Sequence, residues 1–247
     1  MQKEIQVDYL QLLKNKMYFS RCELKKAMSQ YGIEMDNMTF DFAIQELLRR
    51  CEIARVGRNA YCVVDGDIQV YNHQYSQLAS SVAKKLEEKF PYLEFTIFEL
   101  TQLNEFVNHQ LAHNTIFISV ENDLGAFVFE ELKQHYSGKV FINPTPEMYH
   151  QYWLEDMIVI GKLVTEAPKE RSVKWNTRIE KLLVDLRTDI LLQNIVSSME
   201  IPTVYEEVFL KYAIDESSLF RYAKRRGADK KIKNFIQDET NIQLRRK

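Results

Sequence analysis

The sequence predicts an α/β (α+β) protein: an N-terminal winged helix-turn-helix followed by a mixed-sheet domain covered by helices, with an all-helical C-terminal part. Three observations carry this expectation. Between Ser20 and Val64, two helical stretches precede two strand-like runs around a turn. From Leu93 to Thr165, short runs rich in Ile, Val and Phe alternate with helical periodicity, the pattern of a sheet with helices on its faces. Beyond Val204 the spacing is helical throughout.

Taken in order, Ile5 to Leu13 reads as a first helix. Ser20-Arg21-Cys22-Glu23 is a capping box, in which the Ser hydroxyl takes the amide three residues on and the Glu carboxylate reaches back. Gly32 supplies the left-handed residue that ends this second helix. Asp36 or Asn37 caps a third, with Phe40, Ala43, Ile44, Leu47 and Leu48 on its inner face. Glu52–Val56 and Ala60–Val64 flank Gly57-Arg58-Asn59, which has the chemistry of a hairpin turn. The domain boundary is expected after Asp65, giving residues 1–65 and 66–247. Ile68, Val70 and Tyr71 suggest a further short strand, and Tyr75–Phe90 a helix stopped by Pro91. Strands are expected around Phe95–Phe98, Thr115–Val120, Lys139–Asn143 and Met157–Thr165. Helices are expected at Leu103–Leu111, Leu124–Tyr136 and after Pro146. Thr177-Arg178-Ile179-Glu180 reads as a second capping box that launches a long helix running to Ile190. Tyr205–Tyr212, Ser217–Arg226 and Lys230–Gln237 complete the helical part, separated at Asp215 and Gly227.

Composition narrows the function classes. With 45% hydrophobic residues in 247, the chain can bury one large core or two modest ones. A net charge of -2 gives no overall basic field, so nucleic-acid contact must come from local patches. The three cysteines form no CxxC and no even-numbered framework, which points to a reducing compartment. With no apolar leader and no membrane-spanning run, the expected location is cytoplasmic, without membrane contact.

In a helix-turn-helix the start of the second helix meets base edges, where amides and hydroxyls serve for readout. Asn37, Thr39 and Gln45 are the candidates, with Lys25, Lys26, Arg49, Arg55 and Arg58 on phosphates. From Arg221 onward ten basic residues face three acidic ones, a surplus of seven that the whole chain does not share. Within it Arg225, Arg226, Lys230 and Lys231 are candidates for a second phosphate-contacting surface. The alternative for that segment is a solvated basic face. Glu105, His109 and His113 would share one face of a helix, but no companion ligands accompany them, so no metal and no cofactor is expected. Glu94, Glu99, Glu121 and Asp123 lie on or beside strands without an acidic-x-Lys pair. Asp185 and Asp189 read as one solvated helix edge. Tyr149, Tyr152, Trp153 and Trp175 read as core packing. No phosphate-cradling glycine motif or serine-hydrolase elbow is present, so no enzymatic activity is expected.

Four stretches together resemble the AbiEi-like antitoxins of bacterial type IV (abortive infection) toxin-antitoxin systems. These are the turn Gly57-Arg58-Asn59-Ala60-Tyr61; Leu103-Asn104-Glu105-Phe106 with His109-Gln110; Glu166-Ala167-Pro168 with Ile179 to Leu186; and Leu219 to Arg226. The resemblance implies a DNA-binding transcriptional repressor acting on double-stranded DNA of its own promoter. It also implies an antitoxin that counteracts a nucleotidyltransferase-like toxin without a tight complex. Asp36, Asp41 and Glu46 make the outer surface of the expected recognition helix more acidic than a strong DNA binder requires. The competing readings are a protein-interaction module whose winged helix touches no DNA, and a nuclease-like enzyme.

Overall fold

The computed structural model describes residues 9–65, 68–121, 124–170 and 173–245. Ile5 at the start of the expected first helix, Gly66, Asp67, Asp123, Arg246 and Lys247 lie outside the described residues. The protein is mixed α/β with two small sheets, and its backbone divides into two units. One comprises the chain to Tyr71, Val208–Ser218 and the residues from Leu244 on; the other comprises Asn72–Glu207 and Leu219–Gln243.

In the first unit residues 9–14 are helical (α1), followed by α2 (Arg21–Gln30), α3 (Asn37–Arg49), β1 (Ile53–Gly57) and β2 (Ala60–Val63). Both halves of the capping box form at Ser20, whose amide donates to Glu23 at 2.8 Å. Gly32 sits at φ +72, and Asp36 caps α3 by accepting from the Thr39 amide at 2.7 Å. Leu13, Leu24, Phe40, Ile44 and Leu47 close around Phe19, which is fully buried. Phe19 also exchanges two backbone hydrogen bonds with Tyr61 in β2, at 2.7 and 2.9 Å. The antiparallel β1–β2 hairpin thereby gains a one-residue third strand.

The hairpin's other face, Ala54, Val56, Ala60 and Cys62, packs with Ile68 and Ala213. Burial pushes the Cys62 thiol above its ordinary value. A unit ending at Asp65 would take Ile68 and Ala213 off this face, and residues 208–218 belong to the same unit. Arg245 and Glu216 pair within the same unit at 3.2 Å. The strand expected at Ile68–Tyr71 reduces to one parallel bridge, Gln69 to Tyr212.

The second unit holds α4 (Gln77–Lys89), β3 (Phe95–Glu99), a 3-10 turn (Leu100–Glu105), β4 (Thr115–Val120), α5 (Gly125–His135), β5 (Val140–Ile142), α6 (Pro146–Gln151), β6 (Met157–Lys162), α7 (Ile179–Thr188) and α8 (Ile190–Ile195). Helices α9 (Ile201–Lys211), α10 (Glu216–Arg225) and α11 (Asp229–Glu239) follow along the chain. The sheet order is β3-β4-β6-β5, with β3 antiparallel to β4 and the other three parallel. Strand alternation sends Ile97, Ile116, Ile118, Ile158 and Ile160 to a core shared with α4 and α5. Phe117, Phe141, Met157 and Val159 meet α6 and α8 on the opposite face. Tyr149 is buried in this second layer, whereas Tyr152 is exposed and does not pack as expected.

Three further expectations are corrected. Leu103–Leu111 is not an α-helix: the 3-10 turn ends at Glu105, and Asn104 bonds both backbone groups of Leu111 across a loop. Glu105, His109 and His113 therefore share no helix face; His109 meets Glu200 at 2.6 Å and His113 meets Glu155 at 2.8 Å. The box at Thr177 does not form, because Arg178 is the N-cap, without a side-chain cap, and the Thr177 hydroxyl is buried without a partner. The long helix breaks at Asp189, which takes the amides of Leu191 and Leu192 to start α8.

Glu99 ties the start of this unit together. Its buried carboxylate accepts from the Ser76 amide at 2.8 Å and Asn114 Nδ2 at 2.9 Å, with His73 at 3.4 Å. Burial opposes its ionised form, but the hydrogen bonds from His73, Ser76 and Asn114 outweigh it and hold the carboxyl at about 2.

Candidate nucleic-acid interface

In the first unit, α3 turns Phe40, Ile44 and Leu47 inward, so helical geometry points Met38, Phe42, Gln45 and Arg49 outward as one exposed ridge. Asn37 and Thr39 stand exposed in the first turn, at the positive end of the helix. Asn37 accepts from Lys25 at 3.1 Å, while Thr39 is held by Asp36 through its amide. Lys26 is exposed on α2. Arg55 is exposed on β1, its Nε donating to the Gly57 carbonyl at 3.3 Å. Arg58 projects at the hairpin tip, where Asn59 at φ +54 makes the turn and accepts from the Arg21 amide. Asn59 thus fixes the tip to the start of α2. The structure brings Lys25, Lys26, Asn37, Thr39, Gln45, Arg49, Arg55 and Arg58 into this one unit.

Electrostatics on this surface is mixed. Arg49 binds Glu46 through two nitrogens at 2.8 and 2.7 Å, and Arg50 reaches the same carboxylate at 2.6 Å. Glu46 is held at about 2, first by Arg49 and then by Arg50. Arg21 pairs with Asp41 and, like Lys25, lies over the Phe40 ring. Of the cations counted toward phosphates, Arg49 therefore already holds a carboxylate, Lys25 an amide and Arg55 a backbone carbonyl. The apolar part of the ridge went unremarked in the sequence: Met38 is 70% and Phe42 71% exposed. Their place roughly opposite Phe40, Ile44 and Leu47 on the helix was the available signal.

The C-terminal candidates lie in the second unit. Lys230 and Lys231 are exposed on α11, and Arg225 is exposed with its Nε on Thr165 at 2.6 Å. Arg226 differs: its guanidinium turns to Thr188 at 3.0 Å and lies 4.0 Å from Asp185. Asp185 is no solvated edge. It is 8% exposed, receives Lys181 at 2.6 Å and the Tyr222 hydroxyl at 2.9 Å, and so faces two cations and a phenol. Burial and the Asp185 charge both push the Tyr222 phenol up, keeping it a neutral donor. The run Lys181-Leu182-Leu183-Val184-Asp185-Leu186 carried the signal, because a helix apolar nearly all round is buried on all sides.

The arrangement defines a two-unit α/β protein with a helix-helix-hairpin module at its N-terminal end. The chain belongs to the family of unknown function DUF6577, whose model matches residues 39–242. Among solved structures it is similar to the RV2827C protein from Mycobacterium tuberculosis, at 10% identity over 97% of this chain and 82% of that chain, with a TM-score of 0.25. No curated protein matches it. Among the described residues no helix is long and apolar enough to cross a membrane.

Proposed function

We propose that the first unit is a winged helix that binds double-stranded DNA, and that the protein is a transcriptional repressor. One observation carries this: α1, extended Phe19, α2, α3 and the hairpin follow in winged-helix order, with Phe19 paired to Tyr61 and the outer face of α3 left uncovered. In this reading Asn37, Thr39 and Gln45 face base edges, and Arg55 and Arg58 on the wing hold phosphates. The antitoxin role rests on the resemblance of the four motifs, with a nucleotidyltransferase-like toxin as the functional counterpart. The protein acts in the cytoplasm and by binding rather than by catalysis.

Anisotropy of a labelled duplex from upstream of the gene tests the first part. Wild type should bind specifically, and Gln45→Ala should relax base preference, whereas Arg58→Ala should weaken all duplexes alike and lower the salt slope by about one unit. If both variants bind as wild type does, the DNA-facing assignment fails. Co-expression with the product of a neighbouring nucleotidyltransferase-like gene tests the second part, with recovered growth expected.

The exposed Met38 and Phe42, beside arginines occupied by Glu46, favour one alternative: α3 as a protein-docking ridge. Specific duplex binding that survives Phe42→Ser would argue against it. Absent duplex binding, together with toxin neutralisation lost in Phe42→Ser, would establish it.

A further inference from the structure

A cleft of about 400 Å³ opens in the second unit over the carboxyl ends of β4, β6 and β5. It exists because the sheet changes character one step beyond its apolar layer. Phe117 and Val159 are register partners; two residues on, Ser119 and Gly161 are partners on the same face. Large side chains give way to small ones, and a Cβ built at Gly161 meets nothing within 4 Å. In open sheets with parallel strands, this end is where ligands bind.

The charges around the space do not cancel. Lys162, Lys181 and Arg226 line it against Asp185 and Asp189, and Asp189 is held as the cap of α8. Asp185 is thus left between Lys181 and Arg226. An ammonium has three donors, and Asp185 and Ser119 take two of those on Lys181. Arg226 gives Nε to Thr188, which leaves its terminal nitrogens without a protein partner among the described residues. Thr177 lines the cleft at 7% exposure, and its hydroxyl has no partner. The partly buried Arg226 guanidinium, short of partners, and the orphaned Thr177 hydroxyl are unfavourable unless a guest offsets them. Phe98, Phe117, Val159, Leu191 and Leu192 supply apolar walls.

The geometry points to a binding site for a small molecule with one anionic group, phosphate or carboxylate, and an apolar or aromatic body. The anion meets Lys181 and Arg226 beside Thr177, and the body lies on the apolar wall above Ser119 and Gly161. The volume falls within the range of small-molecule sites.

Isothermal titration of the full chain tests this with three probes: adenosine 5′-monophosphate, octanoate and adenosine. At least one anionic probe should bind at one per chain, and adenosine should bind about tenfold more weakly or not at all, since charge-assisted hydrogen bonds contribute that much. Binding by the nucleotide alone marks a phosphate site, and binding by octanoate alone a carboxylate site. Gly161→Val should abolish binding while leaving the circular dichroism spectrum unchanged, because the added methyls enter open space. No binding of either anion at about 1 mM overturns the proposal. Equal binding of adenosine and its monophosphate overturns the anion's role, and binding that persists in a folded Gly161→Val overturns the location. The comparison of probes on wild type needs no variant to fold.

Discussion

Replacing Glu99 with Gln removes one charge from a buried carboxylate while keeping its shape. The native carboxyl sits at about 2 against an ordinary value of 4.5. Each unit of such a difference is about 1.4 kcal/mol, so the ionised form contributes on the order of 3 kcal/mol at neutral pH. Because the folded-state value is the lower one, the unfolded chain takes up the proton first as pH falls. The contribution is therefore complete above about pH 4.5 and is lost between there and about pH 2. By pH 3 roughly 2 of the 3 kcal/mol should be gone. Urea unfolding at pH 7, 5, 4 and 3, followed by tryptophan fluorescence, measures this; Trp175 lies 4.8 Å from Tyr75 and reports on the same region. Wild type should exceed Glu99→Gln by about 3 kcal/mol at pH 7 and by about 1 kcal/mol at pH 3. His73→Gln in both backgrounds separates the contribution of the facing side chain. A gap between wild type and Glu99→Gln that stays constant over this range would refute the reasoning, since a structural loss alone has no reason to follow the carboxyl proton.

Asp185→Asn should destabilise the second unit by about 3–5 kcal/mol, because Lys181 and Arg226 lose their shared counter-charge, whereas Tyr222→Phe should cost about 1.5–3 kcal/mol; thermal melts decide the order. Phe19→Ala should cost about 3–5 kcal/mol by opening the core of the first unit, seen as a lower urea midpoint. Glu46→Gln should release Arg49 and Arg50 from their carboxylate, tightening duplex binding and steepening its salt dependence by about one to two units; an unchanged slope would show that neither arginine reaches a phosphate.

Local chemistry made part of this molecule legible. The box at Ser20, Gly32, the Asp36 cap and the 57–59 turn each act within a few residues, and each is where the pattern placed it. The strands of the second sheet were legible from runs of β-branched and aromatic residues. Failures came where a distant partner decides. Thr177 has the sequence of a cap, but its amide is already donated to the Tyr75 hydroxyl, 102 positions away. Leu103–Leu111 has helical spacing, yet the Asn104 side chain offers its backbone another set of partners. Asp185 looked solvated because Tyr222 and Arg226, which surround it, lie far along the chain. In the N-terminal surface, the polar candidates could be read from spacing. The pairing of Arg49 and Arg50 with Glu46 could be read from the i,i+3 and i,i+4 offsets, and the exposure of Phe42 from the helical wheel.

The hairpin's second face has a consequence for how the protein is made. Ala54, Val56 and Cys62 leave the ribosome early, but Ala213, which packs against them, comes 151 residues after Cys62. At about 5–20 residues per second the nascent hairpin waits for Ala213 for on the order of ten to thirty seconds, with only Val64 and Ile68 at hand to cover this face. During that time it presents an apolar strand surface of the kind that chaperones hold and that neighbouring chains can pair with. The N-terminal unit would then reach its final form only after residues 208–218 have been made. A chain cut short before Ala213 would leave that face of the hairpin without this partner.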